Sequence, residues 1–303
     1  TSLLADPTTV DGKALSASIA GTAVAPELAK PTAGAGSSAS PWTHSDGTGG
    51  IATALTAHRT SGKPVWVKKG HYAITTAGTA ILSDDRIHFE PGAVLVVSGL
   101  AQNSDVFSAI GSAGTYKSGF SVTGNVVLDM TAQGSTSARG FNIQYAEDFT
   151  LDCTIRSKGG AGNPVRILNA RGAWYVRRVA RKTTETAGSC VYLQATTDGH
   201  IHSVYADGGD EALDLANCTG LVADFVTGVN CGEPLDIGSS NACQIGKVYG
   251  RNNSQGVNFK IDNGASATGC NANHIDSITL EDMQTGVAAV TFSNAYGAGQ
   301  TNA

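Results

Sequence analysis

The stretch Glu211-Ala212-Leu213-Asp214-Leu215 returns 22 residues later as Glu233-Pro234-Leu235-Asp236-Ile237, and this return decides the fold. Its core is an apolar–x–apolar triplet. Working outward, the same triplet recurs as Val191-Tyr192-Leu193, Val165-Arg166-Ile167, Phe141-Asn142-Ile143 and Val257-Asn258-Phe259. From Phe141 to Val257 the successive starts are 24, 26, 22, 22 and 22 residues apart. A second apolar set follows at three-residue spacing: Val176/Val179, Ile201/Val204, Val222/Phe225, Ile245/Val248 and Ile275/Ile278. Triplets of period two are strands. A unit this short cannot bury its own apolar face and must stack on its neighbours. The chain therefore reads as all-β, a right-handed single-stranded parallel β-helix.

Composition agrees. The 303 residues include 38 Gly and 8 Pro, and 15% are charged, which describes a turn-rich solenoid with few helix formers. A net charge of −5 argues against a nucleic-acid partner, since phosphate binding needs a concentrated basic face. One basic run, Arg171, Arg177, Arg178, Arg181 and Lys182, falls within a single coil and reads as a solvated face or subunit contact, with anionic-glycan binding a lesser alternative. The six cysteines form no CxxC and no regular ladder, so they read as small buried thiols rather than a disulfide frame or zinc site. No apolar run approaches membrane-spanning length, and the N-terminus shows no secretory signal. Membrane insertion is not expected.

Three regions follow. Residues 1–41, rich in Ala, Ser, Thr, Pro and Gly, read as a flexible attachment arm. Residues 42–97 open the helix: the Asp46–Gly50 turn leads into a short amphipathic helix with Ile51, Leu55 and His58 on one side, which caps the first coil. Strands at Pro64–Val67, Gly70–Ile74 and Ile87–Val97 follow, and residues 98–303 form the body.

The segments GTGGIATALTAHRTSGKPVWVKKGHYAITT (47–76) and RIHFEPGAVLVV (86–97) resemble the opening of pectate-lyase-like β-helix proteins, of which bacteriophage tail spikes are the best-known group. Lys69 stands where that group commonly has Pro or a small residue, and the acidic TDDT run before the helix is missing. The resemblance implies a homotrimeric virion appendage, attached to other tail proteins through residues 1–41, that binds a bacterial surface polysaccharide. GDEALDL (209–215) also resembles, loosely, the GDDxIxI segment of polygalacturonase-type β-helices, without that family's Gly-His-Gly and Arg-x-Lys segments.

The middle residue of each triplet points away from the core, because side chains alternate along a strand. Stacked coils then make an outward ladder of Asn142, Arg166, Tyr192, Asp214, Asp236 and Asn258, with rungs roughly 4.7–4.9 Å apart. Glu211 and Glu233 repeat three residues earlier. Like charges this close raise at least one pKa, which supplies an acid and a base together. Asp214 and Asp236 are the expected catalytic pair, assisted by Glu211 or Glu233. Neighbouring rungs suit a retaining glycosidase, and a diagonal Glu211–Asp236 pair suits an inverting one. Arg166, Tyr192, Asn258 and Lys260 are the expected substrate-binding residues, and Trp174, Tyr175, Tyr205 and Tyr249 are further stacking candidates. His200 and His202, one coil earlier, read as exposed turn residues.

Two other readings of the carboxylates stay open. They can hold Ca²⁺, as in a secreted lyase, with Arg166 and Lys260 alongside. They can also be an ordinary solvated acidic stripe on a structural or receptor-binding virion protein without catalysis. No other cofactor is implied.

Overall fold

The computed structural model describes residues 31–133, 138–157, 162–261, 269–284 and 288–294. Among these, strands build one sheet of eleven and another of nine, joined coil by coil into a parallel β-solenoid of about seven turns. The repeated triplets form the nine-stranded sheet. Phe141, Val165, Val191, Leu213 and Leu235 lie in one register row, and Ile143, Ile167, Leu193, Leu215, Ile237 and Phe259 in another. All but the half-buried Phe259 are closed off from solvent, so the period-two pattern marks the core wall as expected.

The eleven-stranded sheet departs from expectation at one coil. Val176, Ile201 and Ile245 face inward, but their partner in the Val222–Val229 strand is Ala223, and the next inward residue is Val226. The expected pair Val222/Phe225 is slipped by one residue, which leaves Phe225 43% exposed. The cause is local. Four of the five residues Val222–Val226 are apolar, so hydrophobicity alone does not select the face.

Aromatic side chains stack along the interior. Phe120, Phe149 and Trp174 form a column with centroid separations of 5.0 and 5.5 Å and nearly parallel rings. Gly199 lies beyond Trp174, where a β-carbon would come within 1.9 Å of the indole. Glycine there makes room for the largest side chain of the column. Between strands, the chain turns on residues with left-handed backbone, such as Asn230 and Asn252. Asparagine tolerates that conformation and hydrogen-bonds locally. Here the amides also stack: Asn252 Nδ2 donates to Asn230 Oδ1, and Asn230 Nδ2 to Asp207 Oδ1, both at 2.7 Å.

The helix α1 (Ile51–Ser61) buries Ile51, Ala54, Leu55 and His58. Asp46 anchors its start by accepting from the Thr48 and Gly50 backbone N–H groups and from the Thr53 hydroxyl. Arg59 clamps it to the first coils through a two-pronged ion pair with the buried Asp85. Residues 1–30 of the expected arm lie outside the described residues. From Thr32 the chain is already paired: Thr32 N–H donates to Thr43 O, and His71 N–H to Gly36 O. No helix among the described residues is long and apolar enough to cross a membrane. All six cysteines are buried and none forms a disulfide among the described residues, as small core side chains.

Candidate functional site

The nine-stranded sheet sets Asn142, Arg166, Tyr192, Asp214, Asp236 and Asn258 in one register row. A second row stands at the mouth of the same strands, two residues ahead of each triplet: Asn163, Ser189, Glu211, Glu233 and Gln255. Glu211 and Glu233 are register partners. Gly208 and Gly209 lead the chain into Glu211 with φ of +87° and +100°. A β-carbon on them would strike the Thr183 carbonyl at 2.2 Å and the Arg181 guanidinium at 2.8 Å. Only glycine passes there.

The two rows converge at one cluster. Glu211, Glu233 and Asp236 are 8%, 6% and 0% exposed, and one carboxylate oxygen from each lies within 4.8 Å of the others. Lys260, from the following coil, closes an ion pair with Asp236. The Ser189 hydroxyl touches Glu211 Oε2 at 2.8 Å and Asp214 Oδ2 at 3.3 Å, and its backbone N–H donates to Asn163 Oδ1 at 2.9 Å. Glu233 Oε2 is buried with no hydrogen-bond partner among the described residues.

Burial dominates the electrostatics. It pushes the Glu211 carboxyl up to about 7, with Asp210 and Asp236 adding to the rise and the Ser189 hydrogen bond and Lys260 opposing it. Glu233 goes further, to about 9, through burial and the facing Asp236 and Glu211. Near neutral pH Glu233 is an uncharged acid, Glu211 is poised to give or take a proton, and Asp236 is matched by Lys260. The site thereby avoids the cost of three buried negative charges side by side.

A resident Ca²⁺ fits this donor set poorly. The ion takes six to eight oxygens, whereas the cluster gathers three carboxylates in a closed space and sets an ammonium on one of them.

The expected pair is placed unequally. Asp214 is half-buried and reachable from solvent, whereas Asp236 is sealed beneath Lys260 and Glu233. Pointing away from the core is not the same as facing water, and Asn142 is buried too. Arg166 and Tyr192 are half-buried on the two rungs before Asp214, and the Arg166 side chain makes no hydrogen bond or ion pair among the described residues. Asn258 is the rung beyond Asp236, next but one to Lys260.

Three expectations made outside this row need correction. Trp174 cannot stack on a ligand, because it is a core residue whose indole N–H donates to Thr197 O. Arg181 is no part of a solvated face. It occupies the row of Ile155 and Ala206, pointing inward, and is 2% exposed, with its guanidinium on the Gly188 and Ala187 carbonyls. His200 and His202 are not idle turn residues but strand neighbours sharing Asp224 Oδ2, at 3.0 and 2.8 Å.

Ser189 and Asn163 went unrecognised in the sequence. Their signal was positional: each precedes its triplet by the offset that Glu211 and Glu233 have from theirs.

No family model matches the chain, and no curated protein matches it in sequence. Solved structures share its fold. One is the 1,3-alpha-1,4-beta-D-galactose-4-sulfate-3,6-anhydro-D-galactose-2-sulfate 4 galactohydrolase, at TM-score 0.54 and 13% identity over 69% of this chain and 55% of its own. Another is an iota-carrageenase complexed to iota-carrageenan fragments, at TM-score 0.54 and 13% identity over 69% of this chain and 52% of its own. A tailspike protein of bacteriophage CBA120 matches at TM-score 0.20 and 10% identity, over 83% of this chain and 60% of its own. The chain spans about half the length of the first two. At such identities the likeness to the first two is one of fold, the parallel β-helix.

Proposed function

We propose that this β-helix binds a polysaccharide along the Arg166–Tyr192–Asp214 rungs and hydrolyses it with Glu211 and Asp214. The observation that carries the reading is the single hydroxyl, Ser189 Oγ, touched by both carboxyl groups. Two carboxyls that meet at one hydroxyl stand close together, which favours double displacement over an attack by water held between them. Glu211, raised to about 7, is the acid that protonates the leaving oxygen. Asp214, the more open of the two, is the nucleophile that forms the glycosyl ester, and Glu211 then takes the proton of the water that breaks it. Burial and the neighbouring Asp210 and Asp236 keep Glu211 protonated, against the opposing pull of Lys260.

Two solved structures of the same fold are named for hydrolysis or binding of sulfated galactans, which supports a glycan substrate by fold analogy alone. The setting belongs to the proposal as well: a homotrimeric virion appendage, attached through residues 1–41, that meets a bacterial surface polysaccharide. Its support is the likeness of residues 44–97 to the opening of tail spikes.

The test is reducing-end release from purified capsular, O-antigen and sulfated galactan polysaccharides, with and without EDTA. Release that survives EDTA and is lost in Glu211→Gln and Asp214→Asn supports the reading. Release abolished by EDTA overturns it in favour of a metal-dependent lyase. Binding without release leaves a receptor-binding protein and overturns the catalytic part.

A further inference from the structure

Ser189 has one hydroxyl proton and two carboxyl neighbours, Glu211 Oε2 at 2.8 Å and Asp214 Oδ2 at 3.3 Å. A hydroxyl donates once and accepts through its lone pairs. It cannot donate to both groups. With both carboxyls ionised, one would face the serine oxygen with no proton between them, at a residue only 3% exposed. The contacts are both satisfied when one carboxyl is protonated and donates to Oγ, while the hydroxyl donates to the other.

We propose that Ser189 is a proton relay between Glu211 and Asp214, so that the two carboxyl groups share one proton through its hydroxyl. The inference rests on the hydrolytic reading above and adds a positioning residue to it. In one arrangement Glu211 Oε2–H donates to Ser189 Oγ, and Ser189 O–H donates to Asp214 Oδ2. In the other both donors reverse. Passing between them moves the Glu211 proton onto Oγ and the serine proton onto Asp214, with no bond to carbon changed and the hydroxyl restored. The first arrangement is the one double displacement needs, a protonated acid beside an ionised nucleophile.

The backbone fixes this geometry. Ser189 N–H donates to Asn163 Oδ1 at 2.9 Å, and Cys190 N–H donates to Glu211 O at 2.8 Å, which ties the two coils together beside the relay. The charged and titratable groups facing Glu211 are Asp210 on its own turn, Glu233, Asp236 and Lys260 from the following coils, and Arg181 from inside. Asp214 stands in register between Tyr192 and Asp236. Among the described residues none of the groups facing Glu211 touches Ser189 Oγ, which meets Glu211 and Asp214.

The experiment is a residue-resolved ¹³C-carboxyl NMR titration of the full chain, without glycan, in the wild type and in Ser189→Ala. The substitution removes one oxygen and leaves every backbone hydrogen bond in place. In the wild type the Glu211 and Asp214 signals follow each other through two shared steps, as coupled sites do. In Ser189→Ala the two steps draw closer together, because only the direct repulsion between the carboxyls remains, and the Glu211 midpoint rises, because a donor to its ionised form is gone. The limb of the kcat/KM pH profile set by Glu211 moves with it, while KM holds. Independent single steps in the wild type, or unchanged curves in Ser189→Ala, overturn the relay. Failure of the hydrolytic reading would show differently, as no reducing-end release from a wild type whose two signals are still coupled.

Discussion

Lys260 reaches back from its own coil to Asp236, whose register partner is Asn258, and the ion pair roofs the most buried carboxylate of the cluster. Asp236 has no exposed surface, so its charge is tolerable only with that ammonium in place. Lys260→Met should cost about 3 kcal/mol, in the range found when one partner of a buried pair is removed. Adding Asp236→Leu should recover most of the loss. Urea unfolding midpoints of the single and double variants check this, and a neutral Lys260→Met would show that the pair does not hold the roof.

Glu233 makes stability depend on pH. Its folded-state pKa, about 9, lies well above its ordinary value of 4.5, so the folded state binds the extra proton between those limits. That contribution is complete below about pH 4.5 and is lost as the pH rises toward 9. Glu233→Gln keeps an uncharged side chain at every pH. It should therefore melt above the wild type at pH 8, by roughly 2–4 °C for each kcal/mol released, and the difference should shrink toward pH 5. Melting scans across that range decide it, and parallel curves for the two proteins would refute it.

Asp214→Asn and Glu211→Gln should each lower glycan cleavage by about 100-fold or more while the fold persists, since acid–base and nucleophilic roles are worth at least that much. The wild-type product should keep the anomeric configuration of the substrate, because closely set carboxyls act by double displacement. Proton NMR of the first product formed reads this directly. Inversion would require water between the groups and would exclude Asp214 as nucleophile.

Gly199→Ala should destabilise the chain by about 1–3 kcal/mol, the usual cost of overpacking a filled interior. The new methyl would overlap the Trp174 indole at 1.9 Å. Trp174→Phe in the same background should restore part of the loss, because it shortens the ring that the methyl meets. Thermal melting of the two variants checks the contact.

The apolar triplets were sufficient to read the nine-stranded sheet, because hydrophobic alternation and strand register are one fact seen twice. They also brought Glu211, Glu233, Asp214 and Asp236 to neighbouring coils. The second sheet was less legible: in Val222-Ala223-Asp224-Phe225-Val226 the small Ala223 takes the core position that a hydrophobicity count assigns to Val222. Solvent access was not legible at all. Asp214 and Asp236 share one parity, yet only the second is sealed, by a lysine 24 residues away. Arg181 shows the converse, a charge read as surface that the register turns inward onto two carbonyls. Ser189 was missed because a lone serine carries no chemical signature until its neighbours are known.

From Val191 to Val257 every coil is 22 residues long. The strands of these coils keep one register. A gene segment encoding one such coil can be duplicated or lost in frame without disturbing the pairing on either side, and Glu-x-Leu-Asp, present twice, has the form such a duplication leaves. Each event lengthens or shortens the row of outward side chains by one strand spacing, roughly 4.8 Å. The reach of this surface along a polymer is a heritable length, set one coil at a time.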